Sequence, residues 1–331
     1  MTQAPASARR LRHWWADHPR FAHAVRRSAR LVVSLVLLLT ATFVMIHLVP
    51  GDPVRASLGF TAPQSLVRER RAALGLDDPL PTQYVHYVGH VLHGDFGTSL
   101  TSQEPVTDIV RARFPSTLRL AGLAFLVAML ISIPLGVTMA AATRGGRRRG
   151  LELAFTSTSG ALASIPSYLL AVGLVYLFAV TWKLLPVAGR TGVSSYVLPV
   201  AALAIGPALA LSRIVRVEGL RVLDQDYIRT ARGKRLPARL VYLRHALPNT
   251  LTATLTIAGL LLGGLIAGTV LVENVFAWPG LGTSLVQAVS ARDYPTVQAL
   301  ALLFGALVLG INFVVDIALG VIDPQSTILD R

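Results

Sequence analysis

The run Leu31–Val49, LVVSLVLLLTATFVMIHLV, contains no Asp, Glu, Lys or Arg. It is as long as the roughly 20 residues a helix needs to cross a hydrocarbon core about 30 Å thick. Inside lipid, every backbone N–H and C=O must find its partner within the protein, so such a run folds as a spanning helix. Further apolar runs follow, and 53% of the chain is hydrophobic while 15% is charged; soluble domains carry about 25% charged residues. The fold class is an all-α polytopic membrane protein. With no cysteine, disulfides, thiolate metal sites and cysteine nucleophiles are excluded.

Charge sets the topology. The net charge is +14, nearly all of it arginine, with Lys183 and Lys234 the only lysines. Residues 1–30 hold Arg9, Arg10, Arg12, Arg20, Arg26, Arg27 and Arg30 against one acid, Asp17. A basic start before an apolar run suits a signal peptide, but this run is longer than an h-region and VPGDPVRASLG has no small-x-small cleavage site. Residues 1–30 are therefore read as a cytoplasmic segment and 31–49 as the first span, stopped at Pro50-Gly51-Asp52-Pro53. Residues 50–116 form a partly folded extracytoplasmic segment, with one helix ending at about Gly75, a turn at Pro79–Pro81 and a second short helix.

Five more spans follow within 117–322. They are expected at about Leu118–Ala142, Leu153–Val180 (interrupted by Ser164-Ile165-Pro166-Ser167), Tyr196–Ile214, Leu251–Val272 and Val297–Val321. Six spans put both termini on one side, and the short arginine-rich loops, TRGGRRRG among them, fall on that side. This is the positive-inside pattern. The tail 323–331 is cytoplasmic. Nucleic acid would need one basic face on a folded domain; here the arginines sit at span ends in three separate places, which topology and anionic lipid explain.

The segment 224–249 is more than a topological signal. In DYIRTARGKRLPARLVYLRHALPN, Leu236, Leu240, Leu243 and Leu247 fall at i, i+4, i+7 and i+11, one face of a helix. A preceding short helix at about Asp224–Arg232 begins with acids and ends with basic residues, as the helix dipole prefers. Pro237 suits a first helical turn, and Pro248 is expected to end the segment before the fifth span. Two readings arise, an amphipathic helix resting in the lipid interface or a loop that docks into a cytosolic protein.

At these residues the chain resembles the "EAA" loop of ABC importer permeases, in particular the first permease subunit of the dipeptide/oligopeptide/nickel group. IHLVPGDP, LGLDDPLPTQY, GDFGTSL, FPSTLRLA, SIPSYLL, VENVFAWPGLG and ARDYP resemble the same family in order and spacing, so the likeness covers nearly the whole chain. It implies a type I importer permease fold in a bacterial inner membrane. It also implies a complex with a second permease subunit, two cytosolic ATPase subunits that hold ATP and Mg, and an extracytoplasmic substrate-binding protein. Carried over by position, Asp226, Tyr227, Arg229, Thr230, Ala231 and Lys234 match the first half of the coupling loop. Arg244, His245, Ala246 and Asn249 match the second, with Gly233 and Pro248 at the breaks. One departure stands out: the family has glycine after the lysine, and this chain has Arg235 there. Either the turn shifts to Gly233 or the contact differs.

The residues themselves agree that this chain is not the motor. GxxxxGK[ST] is missing, and the single Gly-Lys pair, Gly233-Lys234, is followed by Arg235, so no phosphate-cradling loop is present. The chain needs no cofactor of its own. His86, His90 and His93 fall at i, i+4 and i+7, a spacing that suits Zn²⁺ or Ni²⁺ and equally a polar helix face. Asp316 in the sixth span and Arg213 near the inner end of the fourth are read as snorkelling or paired. Gly259-x-x-x-Gly263 and Gly264-x-x-x-Gly268 allow close helix approach and, by the resemblance, border the translocation path. An intramembrane hydrolase lacks a placed acid for Ser164, Ser167 or His245, and a proton-coupled carrier lacks a second deep acid. The resemblance implies transport of di- or oligopeptides, with nickel chelates and glutathione as alternatives.

Overall fold

The computed structural model describes residues 19–48, 55, 63–73, 75–190 and 192–322. The first helix, α1 (Pro19–Leu48), starts well before the apolar run, so part of the basic segment is its first turns. Among the described residues, five helices are long and apolar enough to cross a membrane, and six if one bent pair counts as a span. Residues 1–18, the stop at Pro50–Pro53 and the tail 323–331 lie outside the described residues.

Outside the first span, α2 (Gln64–Ala73) ends before Gly75, whose φ of 64° is the left-handed turn that glycine takes without strain. Helix α3 (Leu80–Leu92) begins after Pro79. It lies against the C-terminal half of α1, where Tyr84 and Tyr87 bond the hydroxyls of Thr40 (2.8 Å) and Thr42 (3.1 Å). Phe43 fits between the two tyrosine rings at 5.2 and 5.8 Å.

Helix α4 (Val106–Thr143) begins 12 residues before the expected second span and continues unbroken through Pro115 and Pro134. At 38 residues it is about 57 Å long, nearly twice the hydrocarbon core, so its first turns stand outside the membrane. Its packing on α7 (Ser194–Leu223) requires Gly136, since a Cβ there would sit 2.6 Å from the Ser212 carbonyl oxygen.

The expected third span is two helices, α5 (Arg149–Ala163) and α6 (Ser167–Leu174), the latter running on through a π-helical turn to Thr181. They meet at 92°. Pro166 causes the break, because its ring displaces the carbonyl of residue i−4 and it donates no hydrogen bond. Ser164 Oγ and N both bond the Gly160 carbonyl (2.9 and 3.1 Å), closing the last turn of α5.

After α7 come α8 (Asp226–Gly233), the short α9 (Ala238–Leu240), and a π-helical turn, Val241–Ala246, that runs directly into α10 (Leu247–Val275). Pro248 therefore lies in the first turn of α10 rather than ending the segment before it, and the π turn ahead of it replaces the i−4 pairing that its ring cannot make. A buried helix that the sequence reading did not anticipate, α11 (Leu281–Ser290), precedes the last span, α12 (Tyr294–Ile322).

Three apolar clusters hold the bundle. One joins α4, α6, α7 and α10 around Leu120, Leu203 and Trp278. A second joins α11 and α12 to α4 and α10 through Ala121, Ile266, Leu281 and Leu300. The third sits at the end of the bundle, where Ile228 and Ala231 of α8 pack on Ala140, Leu223, Val241 and Ala246.

Candidate functional site

The 226–249 segment is a helix pair fixed to the ends of two spans. Asp226 accepts from Arg229 (3.3 Å) and its carbonyl from Thr230 Oγ1 (3.0 Å), which tightens the first turn of α8. Ile228 and Ala231 are its buried face. The two halves are joined by Asn249 Nδ2, which donates to Tyr227 Oη at 2.9 Å and to the His245 carbonyl at 3.2 Å. Lys234, Arg235 and Arg244 point outward and are exposed.

Helix α8 ends in a Schellman turn, in which Leu236 N bonds the Ala231 carbonyl (3.4 Å) and Arg235 N the Arg232 carbonyl (2.9 Å). That motif needs one left-handed residue, normally glycine. Here it is Arg235, at φ 54°. The turn has not shifted to Gly233, which stays helical as the last residue of α8. The departure from the family pattern thus leaves the turn in place and puts a side chain where glycine is favoured.

The expected leucine face forms only in part: Leu236, Leu240 and Leu247 are half-buried, and Leu236 packs on the cluster of Ile228 and Ala231. Leu243 is 50% exposed, while the buried residues are Val241 and Ala246, five apart. A π turn carries more residues per turn than an α-helix, so residues after Val241 rotate out of the 3.6-residue register. The α-helical spacing of leucines could not show this; it depends on where Pro248 and the start of α10 place the backbone.

Where the bend of α5–α6 meets α7 and α10, a cavity of about 370 Å³ opens, lined by Ser164, Ile165, Pro166 and Ser167, by Gly206 and Pro207, and by Gly264 and Gly268. The two glycine pairs of α10 divide between two faces. A Cβ at Gly259 would strike Val315 of α12, and one at Gly263 would meet Asn312 Oδ1 at 3.0 Å. At Gly264 nothing lies within 4 Å, and at Gly268 the nearest atom is Leu203 Cδ2 at 3.5 Å. One pair packs a helix; the other borders open space.

His86, His90 and His93 share α3 and its immediate end but do not converge. His90 Nδ1 bonds Asp95 Oδ2 (3.0 Å) and His93 Nδ1 bonds the Gly89 carbonyl (2.7 Å). Among the described residues no group of three His, Cys, Asp or Glu is placed to hold a metal ion. Gly97 N donates to Asp95 at 2.9 Å, and this bond is the first cause holding the Asp95 carboxyl below its ordinary pKa, with His90 adding to it.

Two of the charged groups within the bundle, Asp316 and Arg216, are ion-paired. Asp316 bonds Arg27 of α1. Arg213 is exposed; the buried cation of α7 is Arg216, which the sequence reading did not single out. It meets Glu152 of α5 at 2.6 Å and Thr143 of α4 at 3.0 Å, joining three helices. Its register with Ser212 and Gly219, also buried, was the available signal. On the opposite side Glu273, fully buried, accepts from Gly282 N at 2.7 Å and so caps α11. A Cβ at Gly280 would run into that carboxylate, and one at Gly282 would lie 2.5 Å from Val270 Cα, which accounts for the glycines of VENVFAWPGLG.

Spans around a membrane-embedded cavity, with a helix pair fixed to their ends, define a transport subunit rather than a catalytic enzyme. The chain belongs to the family described as "Binding-protein-dependent transport system inner membrane component", whose model matches residues 118–327, preceded by that family's N-terminal region at residues 20–121. It is an ABC importer permease of the dipeptide/oligopeptide/nickel type, a multi-pass inner-membrane protein that works with ATPase subunits and a binding protein. It is 38% identical over 303 residues to the glutathione transport system permease protein GsiC of Salmonella typhimurium strain LT2, covering 91% of this chain and 97% of that one. GsiC of Escherichia coli K12 is 35% identical over the same length and coverage. An inward-facing structure of the MetNI methionine ABC transporter superposes with a TM-score of 0.53 at 20% identity, covering 65% of this chain and 96% of that one, a likeness of fold.

Proposed function

We propose that this permease imports a short peptide, with glutathione, itself a modified tripeptide, inside the same class. What carries the reading is the likeness to GsiC, which spans 97% of that protein. The subunit pairs with a second permease, sits in lipid with both termini cytoplasmic, and relies on two ATPase subunits for ATP and Mg. Substrate arrives from an extracytoplasmic binding protein.

In this reading Asp226–Asn249 docks on an ATPase. Lys234, Arg235 and Arg244 face the partner, while Ile228 and Ala231 anchor the pair to the inner ends of α4 and α7. The π turn passes movement straight into α10, because no break separates them. Force applied at α8 then reaches the helix that carries Gly264 and Gly268, and the cavity at Ser164–Ser167 is the stretch of path it opens and closes.

The test is uptake by the reconstituted complex with its binding protein. ATP-dependent accumulation of labelled glutathione or of di- and tripeptides is expected. Accumulation of a nickel chelate with no peptide uptake would reassign the substrate. Coupled transport that survives deletion of Gly233–Leu243 would remove the coupling role.

A further inference from the structure

Beside the helix pair, at the same end of the bundle, is a second cavity, of about 380 Å³. Arg144 and Arg147, from the turn after α4, and Arg232 of α8 line it together with the apolar Ala141, Leu236 and Val241 and with Tyr242. Arg144 is held in position by Asp224 (3.1 Å) and by the Leu223 carbonyl (2.7 Å). Arg147 and Arg232 take part in no ion pair among the described residues. Three guanidiniums around one cavity, with a single carboxylate between them, leave an excess of positive charge that an anion would neutralise.

We propose that this cavity binds the phosphate of an anionic phospholipid headgroup. Guanidiniums match phosphate oxygens in pairs, as an ammonium does not. The apolar residues in the lining argue for lipid over free phosphate: Ala141 belongs to α4, a helix long and apolar enough to cross a membrane, and gives the glycerol and first methylenes a surface to follow. Anionic lipid is enriched in cytoplasmic leaflets, where it attracts arginines near the surface. The bound headgroup bridges the α4–α5 turn to α8 and to Tyr242 in the π turn. It thereby braces the helix pair against the second span, an effect that does not depend on which solute is imported.

The assembled importer in nanodiscs, titrated with phosphatidylglycerol against a phosphatidylcholine background and read by native mass spectrometry, tests the site. Wild type is expected to retain phosphatidylglycerol over phosphatidylcholine. The double variant Arg147→Gln/Arg232→Gln is expected to lose affinity by roughly 30-fold, the change that about 1 kcal/mol per arginine gives for two. Arg147→Lys/Arg232→Lys should recover part of it. If the double variant does not assemble, Arg147→Gln alone should cost roughly fivefold on the same scale. Equal retention of the two lipids by wild type, or unchanged retention in the glutamine variants, overturns the proposal. Displacement of the lipid by millimolar inorganic phosphate would overturn the lipid assignment in favour of a soluble anion.

Discussion

Ser99 donates a 2.5 Å hydrogen bond to Asp293, a residue 194 positions later in the chain. The same carboxylate accepts from Leu100 N at 3.0 Å and from Thr296 Oγ1 at 2.8 Å. One buried side chain thus ties the first turn of α12, through Thr296, to the GDFGTSL loop. Removing it strands several donors in a buried site. Asp293→Ala is expected to lower stability by about 2–4 kcal/mol, read by thermal unfolding in detergent, with Asp293→Asn losing less. A variant as stable as wild type would show that the loop is held elsewhere.

Arg235 occupies the left-handed position of the turn after α8. Arg235→Gly should relieve about 0.5–1 kcal/mol of backbone strain, seen as slower hydrogen exchange at the Leu236 amide. Because the turn keeps its geometry, a fall in ATP-driven transport is expected from the guanidinium lost at the proposed ATPase-facing surface. Unchanged transport would remove Arg235 from that contact.

The two glycine pairs of α10 predict opposite phenotypes. Gly259→Ala drives a methyl into Val315 and is expected to cost about 1–3 kcal/mol of stability. Gly264→Ala meets nothing within 4 Å, so stability should hold while the methyl narrows the cavity and slows uptake. Equal loss of stability in both would show that the second pair is also a packing face.

Asp95 supplies a pH dependence in the segment between the first two spans. Its folded pKa is depressed, chiefly by the Gly97 amide, so the stability it contributes is present above about pH 4, its unfolded value. That contribution is lost as pH falls through its lower folded value. Gly97 amide exchange, corrected for its intrinsic rate, should quicken below that window. In Asp95→Ala, which leaves no side-chain acceptor, the amide should be unprotected across the whole range.

Much of this architecture was legible because lipid leaves the chain few choices. Leu31–Leu48 had to be helical, and Ser164-Ile165-Pro166 had to interrupt a span. The angle at that interruption was not legible, since Pro166 removes a hydrogen bond without saying where the next helix goes. Helix α11 escaped notice because ten residues with polar neighbours look like loop; its burial depends on Glu273 reaching its N-terminus. The His86, His90 and His93 spacing was real, but Asp95 and the Gly89 carbonyl took two of the rings.

The helix pair shows the division most clearly. Sequence alone determined that 226–249 is a basic, helical, family-like segment with a departure at Arg235, because charge, periodicity and motif are local properties. Only the tertiary structure decided that Arg235 itself turns left-handed, that Val241 and Ala246 are buried while Leu243 is exposed, and that Pro248 lies in the first turn of α10. Those outcomes follow from packing α8 against Ala140 and Leu223 while the chain enters a span fixed by its neighbours. The α-helical register yields there by one π turn, since losing that turn's ideal geometry costs less than exposing the apolar contacts it preserves.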